Sequence, residues 1–346
     1  MRVLQVLLHE GIGGMETFAH CLHGALTDLG DDVVTIPLDA ADSSHTPIGR
    51  MRRLRSQYAR HHPDIVLSHS ALPNLYTRAA LGGKTPVVNV LHSGMDDFND
   101  RRLRWAERSL QRRTGAVISV SRRVADIYLR RFPDLSSRMH IIPNGALPPA
   151  PDYQRYQGDG TRLLFAGRLV AIKQLDVAIH AMSMLPSEVP WRLTVAGDGD
   201  PGYSQQCKDL VRALEIEHMV EFVGATPSID PLLRQSDLLV HPSLYESQGL
   251  SILEAGLFGV PSIVSQAVHQ DLDPNLTRVA FSTGDASDLA RAICESRRRI
   301  AELNDRAAAL AANLSEAYSM DVTAYHYRKV LEALQPNSYK TDFCTS

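Results

Sequence analysis

Two glutamates eight positions apart carry the most specific chemistry in this chain: Glu246 and Glu254, within Pro242-Ser243-Leu244-Tyr245-Glu246-Ser247-Gln248-Gly249-Leu250-Ser251-Ile252-Leu253-Glu254-Ala255. The small residues between them predict a loop that turns into a helix, with Glu246 in the loop and Glu254 in the helix. Carboxylates placed this way span a ligand instead of forming an acid/base dyad. Each can accept hydrogen bonds from hydroxyls, one set on a ribose and the other on a sugar. Gly249 and its neighbours Ser247, Gln248 and Leu250 would offer backbone N–H groups at the helix start. A second pair, Arg168 and Lys173, follows Leu163-Leu164-Phe165-Ala166-Gly167. Cations at the carboxyl end of a strand, beside a helix start, suit a pyrophosphate, each contact being worth about 1.5–3 kcal/mol.

The first turn, Gly11-Ile12-Gly13-Gly14-Met15-Glu16-Thr17, lets backbone approach a diphosphate closely at a helix N-terminus. As a dinucleotide fingerprint it is broken, because Glu16 stands where the third glycine belongs. Asp39, near the end of the second strand, could still serve as a ribose-binding acid, so an NAD-linked oxidoreductase remains an alternative. Asp198-Gly199-Asp200 has the form of a metal-binding D-x-D, but its place suits a loop rim, and no metal is expected. No hydrolase elbow, zincin helix or P-loop is present.

The elements that must hold these residues alternate strand and helix almost throughout. Strands are expected at 3–8, 32–36, 65–68, 87–91, 116–120 and 140–142. A second series follows at 163–166, 192–196, 220–223, 238–240 and 262–264, with amphipathic helices between and one long helix over 286–311. Short apolar strands alternating with helices mean parallel sheets covered on both faces. The 346 residues accommodate two such domains. Pro143-Asn144-Gly145 and Pro148-Pro149-Ala150-Pro151 mark the junction. The expected division is 1–148 and 149–322, two Rossmann-like domains facing one another across a cleft. A final helix at 323–335 would cross back to the first domain, leaving a tail at 336–346.

In order and spacing, these motifs resemble the large retaining GT-B glycosyltransferase family known as family 4, or glycosyl transferases group 1. The resemblance rests on the two glutamates together with Gly13-Gly14-Met15-Glu16, Pro143-Asn144-Gly145, Gly167-Arg168-Leu169 with Lys173, Ala196-Gly197-Asp198-Gly199, Phe222-Val223-Gly224 and Pro242-Ser243. It covers residues 1–335 and implies an α/β fold of two Rossmann-like domains, 1–148 on the acceptor side and 149–322 binding the nucleotide sugar. It also implies a hexosyltransferase-type enzyme that takes sugar from a UDP- or GDP-type donor, with retention, no metal and no cofactor. Arg168 and Lys173 would hold the diphosphate, Glu254 the ribose hydroxyls, and Glu246 the transferred sugar, helped by the amides of Ser247 to Leu250. Gly13 and Gly14 would approach the phosphate, Gly167 would line it, and the backbone at Phe222 and Val223 would face the base. His92, in Leu91-His92-Ser93-Gly94, is similar to the family histidine near the reacting sugar. The sequence departs from the family where Ser247-Gln248 replaces the usual Gly-Phe, and where Gln174 replaces the glycine after the lysine. The usual glycine pair after Val264 is also missing. A non-catalytic sugar-nucleotide-binding protein and a sugar epimerase of the same fold are further alternatives.

Acceptor recognition would fall to loops of the first domain, with Glu16, Asp96 and Asp97 as candidates. The acceptor is read as a small molecule, a glycan or a lipid-linked sugar. Net charge is −3, but residues 1–148 hold 19 Lys+Arg against 14 Asp+Glu. The excess sits in Arg50–Arg60 and Arg101–Arg113, which could touch a membrane surface peripherally or form ordinary solvated helix faces. No nucleic-acid motif accompanies them. Four scattered cysteines and no leader-like segment at Met1 suggest a cytoplasmic protein.

Overall fold

A computed structural model describes residues 1–11, 13–40, 45–93, 98–150, 152–156 and 158–335. The acceptor candidates Asp96 and Asp97 lie outside the described residues. The described residues form two compact units, one built from residues 1–11, 15–145 and 320–335, the other from 13–14 and 146–319.

In the first unit the elements alternate: β1 (Arg2–His9), α1 (Gly14–Asp28), β2 (Asp32–Asp39), α2 (Pro47–His61), β3 (Ile65–His69), α3 (Ala71–Leu81), β4 (Val87–Leu91), α4 (Arg101–Leu110), β5 (Ala116–Ser119), α5 (Arg122–Arg131) and β6 (Met139–Ile141). All strands are parallel, in the order β2-β1-β3-β4-β5-β6. Every residue of β3, β4 and β5 is buried, as a sheet covered on both faces requires. The two-residue period of β1 divides its side chains between the faces. Val3 packs with Phe18 and Leu22 of α1, while Leu4 and Val6 pack with Leu54 of α2 and Leu81 of α3.

The second unit runs β7 (Arg162–Ala166), α6 (Leu175–Ser183), β8 (Arg192–Ala196), α7 (Pro201–Ala213), β9 (Val220–Gly224), α8 (Asp230–Leu233), β10 (Leu238–His241), α9 (Leu250–Leu257), β11 (Ser262–Ser265), α10 (Gln266–His269), β12 (Arg278–Phe281), α11 (Ala286–Arg298) and α12 (Ile300–Tyr318). Its parallel strands lie in the order β12-β11-β10-β7-β8-β9. Leu163 and Phe165 face a core with α6, α7 and α11; Leu164 and Leu239 face one with α9 and α12. The last helix, α13 (Met320–Leu334), belongs to the first unit, where Ala324, Tyr327 and Leu331 join Val3, Leu26 and Ile118 in one core.

Three elements differ from expectation. The long helix expected over 286–311 is two helices, α11 and α12, broken at Arg299 (φ −111°, ψ 18°) without any glycine or proline. The last helix begins at Met320, immediately after Ser319 in extended conformation. The edge strand β12 was not anticipated, since it is four residues long and carries Arg278. Among the described residues no helix is long and apolar enough to cross a membrane.

The strand order of each unit reverses direction once, between β1 and β3 in the first and between β7 and β10 in the second. The loops leaving two such strands at their carboxyl ends diverge, and the crevice between them is where open parallel sheets bind ligands.

Candidate functional site

In the second unit the two strands at this reversal deliver the candidate residues. β7 ends at Ala166 and leads into Gly167 and Arg168; β10 ends at His241 and leads into the Glu246 loop. The Gly167 loop is laced to its neighbour after β8: Gly167 N donates to Ala196 O at 3.0 Å, Leu169 N to Asp198 O at 3.0 Å, and Asp200 N to Leu169 O at 2.9 Å. This lacing explains Gly197, which has φ +135° and whose added Cβ would lie 1.9 Å from Gly167 O. Any side chain there would force the two loops apart.

A single-turn helix at Ala171–Lys173 follows, and Gln174 leaves it in the left-handed region (φ 48°, ψ 45°). That conformation is the reason a glycine would be at home here, and Gln174 adopts it despite its side chain. Leu244 N donates to Ile172 O at 2.8 Å, tying the Glu246 loop to the Lys173 turn. Ser265 Oγ, at the end of β11, donates to Ser243 O at 2.5 Å and steadies the same loop.

These ties bring Lys173 and Glu246 together. Lys173 Nζ donates to Glu246 Oε1, with side-chain exposures of only 15% and 12%. The same oxygen meets His241 Nε2 at 2.5 Å, a buried ring at 4% exposure. Ser243 Oγ lies 3.0 Å from His241 Nε2, and Ser251 Oγ, in the first turn of α9, 3.4 Å from Nδ1. Burial alone would raise the Glu246 carboxyl. His241 and Lys173 outweigh that and hold it at about 2, so it is ionised throughout the neutral range. An ionised carboxylate has no proton to give, so His241 must donate through Nε2. Sequence reasoning missed His241. Its only signal is a polar ring closing the otherwise apolar strand β10 at the ligand-facing end.

Both partners use Oε1, so Oε2 of Glu246 is left to accept from another group. Beyond the loop, Gly249 (φ 76°) starts α9, and no side chain caps that helix. Its first-turn N–H groups are therefore oriented donors without an internal side-chain acceptor. Ser247, Gln248 and Leu250 are half-buried around it.

Arg168 and Glu254 lie outside the bonded cluster. Arg168 is exposed and its guanidinium has no hydrogen bond or ion pair among the described residues. Glu254, partly exposed on α9, also has no bonded partner among them; burial, then the charge of Asp230, raises its carboxyl to about 8. Phe222 and Val223 lie in β9 just before its last residue, Gly224, with Phe222 half-buried under Lys208 (Nζ 5.7 Å from the ring centre) and Val223 at 40% exposure. In the D-x-D stretch, Asp200 caps α7 by accepting from Tyr203 N at 2.7 Å, and Asp198 accepts from Gly199 N at 2.8 Å. Among the described residues no three His, Cys, Asp or Glu side chains form a metal-holding group.

In the first unit, His92 follows β4 and His69 ends β3. His69 Nδ1 and His92 Nε2 share a hydrogen bond of 2.9 Å, with the rings stacked at 5.2 Å. Phe18 packs edge-on against His92 at 5.5 Å. Burial lowers His92 to about 4 and, aided by His92, lowers His69 well below the usual range, so both rings are neutral. One therefore donates and the other accepts. Buried His69 Nε2 has no hydrogen-bond partner among the described residues. His69, like His241, escaped sequence reasoning because it terminates a fully buried strand. Gly13 precedes α1, Gly14 opens it, and Glu16 sits half-buried in its first turn. Asp39, the acid a dinucleotide site would need, is held bidentately by Arg50 at 2.7 and 2.6 Å, which lowers its carboxyl. That pairing engages both oxygens of the acid on which the NAD-linked alternative depended, and the alternative is not favoured.

Comparison with known proteins bears on the fold and the family. The family profile described as glycosyl transferases group 1 matches residues 160–297, and that of glycosyltransferase family 4 matches residues 12–146. An uncharacterized glycosyltransferase of Methanocaldococcus jannaschii is 30% identical over 164 residues, 43% of this chain and 42% of that protein. Mannosylfructose-phosphate synthase of Agrobacterium fabrum is 28% identical over 188 residues, 49% of this chain and 41% of the synthase. The matches thus span about two fifths of the length of these curated relatives. Among solved structures, Anabaena HepE in complex with UDP-glucose superposes with a TM-score of 0.79 at 16% identity, over 96% of this chain and 100% of its own. A glycosyltransferase family profile thus matches each unit, and the two parallel-sheet folds are those of the GT-B glycosyltransferase structures.

Proposed function

We propose that the protein transfers a hexose from a nucleoside diphosphate sugar to a hydroxyl acceptor, with retention at the anomeric carbon and without a metal. The observation that carries this reading is the ionised Glu246, fixed through one oxygen by Lys173 and His241 at the strand reversal and adjoining the uncapped start of α9. Its second oxygen is suited to the sugar hydroxyls. Arg168, unpaired and exposed, and Lys173 are placed after one strand, suited to a diphosphate. Glu254 is suited to ribose hydroxyls. HepE and its UDP-glucose complex make a UDP-type donor the first to try.

Cleavage of the sugar–phosphate bond gives an oxocarbenium-like sugar and adds negative charge to the leaving diphosphate. Fixed cations and helix-start amides stabilise that charge, each such donor being worth about 2.7–4 kcal/mol in the transition state. A leaving-group oxygen takes the acceptor's proton as the acceptor attacks from the same face, so no carboxylate nucleophile and no metal-bound water is required.

A screen of nucleotide sugars by thermal shift, followed by donor hydrolysis and NMR of the product's anomeric configuration, tests this reading. Stabilisation by one donor, turnover in chelator and a retained configuration are expected. Stabilisation by NAD in place of every nucleotide sugar would overturn it. Arg168→Ala should lower kcat more than donor affinity.

A further inference from the structure

The two arginine-rich helices of the first unit differ in what their charges do. On α2, Arg50 is bound to Asp39, Arg53 Nε donates to Pro37 O at 2.8 Å, and Arg55 Nε donates to Ala80 O at 3.1 Å. These guanidinium groups fasten the helix to the unit. Arg52 and Arg60 of the same helix are exposed. On α4 Arg104 is tied back, its Nη1 donating to Phe98 O at 2.9 Å and Asn99 O at 3.0 Å, but the other arginines of the helix are not. Arg101, Arg102 and Arg108, with Arg112 in the turn that follows, are exposed, and their guanidinium groups make no hydrogen bond or ion pair among the described residues. At helical spacing the four lie on one face, and Trp105 stands in the middle of it at 73% exposure.

The roll of α4 is fixed from behind. Its one acidic residue, Glu107, points inward and is 1% exposed. Arg78 of α3 grips it, Nη1 donating to Oε1 at 2.8 Å and Nη2 to Oε2 at 2.6 Å, and Tyr128 of α5 donates to Oε1 at 2.6 Å. Turning the helix to bury Trp105 would strip this buried pair of its partners, which is costly. The exposed indole is therefore a consequence of a locked helix, and no acid on the outward face offsets the arginines.

We propose that this face of α4 seats the protein on an anionic lipid surface. Guanidinium groups meet acidic headgroups, and an indole ringed by cations suits the bilayer interface, where an apolar ring with a polar N–H is most at home. A single aromatic on a convex helix offers no series of stacking platforms, which argues against single-stranded nucleic acid.

The chain supplies its own reporter, because it has two tryptophans and the other, Trp191, is buried at 3% exposure. Vesicles of equimolar phosphatidylglycerol and phosphatidylcholine should blue-shift the emission, and bromine-labelled lipid should quench it. Pure phosphatidylcholine should do neither, and salt at about 0.5 M should reverse binding. The double variant Arg101→Gln/Arg108→Gln should partition about tenfold or more weakly, and Trp105→Ala should sediment less with vesicles while keeping its circular dichroism. Emission unchanged by anionic vesicles, or shifted by an oligonucleotide and not by vesicles, would overturn the proposal. The measurement needs no turnover, so its outcome is independent of the transferase reading.

Discussion

His241 Nε2 and Lys173 Nζ converge on one oxygen of Glu246. The lysine fixes the carboxylate from the β7 loop and the histidine fixes it from the end of β10. His241 should therefore position Glu246. Loss of a hydrogen bond to a charged group costs about 1.5–3 kcal/mol, which is tenfold or more in kcat/KM. His241→Ala should show that loss on donor hydrolysis assayed below its own, lowered melting temperature, and His241→Gln, which retains a donor, should recover part of it. Unchanged kinetics in His241→Ala would remove the histidine from the site.

Glu246 also makes the fold sensitive to acid. Its carboxyl lies at about 2 in the folded state instead of the ordinary 4.5. The stability it contributes is complete above the unfolded value and drains away as pH falls from 4.5 towards 2, on the order of 3 kcal/mol in all. Denaturant midpoints measured near pH 5 and pH 3 should fall further for the wild type than for Glu246→Gln. Parallel losses in the two proteins would mean that the carboxylate is not held as described.

Legibility in the sequence followed the physics of each element. Lys173 and Glu246 could be read because their residue types sit in loops, where a charged side chain has no packing role to explain it. His69 and His241 could not, because each closes a strand whose other residues are apolar, and an imidazole there reads as part of the strand. The break at Arg299 has no local signal, since the residues on both sides continue a helical pattern. The apolar strands of both sheets were legible for the opposite reason: burial on both faces leaves an uninterrupted hydrophobic run.

Gln174 tests the backbone that presents Lys173. A non-glycine residue at φ 48° carries about 1–2 kcal/mol of strain. Gln174→Gly should raise the denaturant midpoint or leave it unchanged, because relief of strain offsets the added chain entropy. Gln174→Val should lower it, since a β-branched side chain tolerates this region least. Equal midpoints for the Gly and Val variants would contradict the left-handed turn.

Glu254 yields the prediction with the clearest sign. In the free protein its carboxyl titrates at about 8, because burial and the nearby charge of Asp230 disfavour ionisation, so near neutral pH it is mostly protonated. Two ribose hydroxyls donating to it would stabilise the ionised form and pull its pKa down. Binding of a nucleoside diphosphate must then release close to one proton per complex near pH 7, and affinity should rise with pH until it levels off above about 8. Calorimetry in buffers of different ionisation enthalpy reads the proton directly, as a slope of observed heat against buffer enthalpy. Glu254→Gln has no proton to release, so its slope should vanish along with much of its affinity. A wild-type slope of zero with pH-independent affinity would show that the hydroxyls are held elsewhere. Release that persists in Glu254→Gln would assign the proton to a different group.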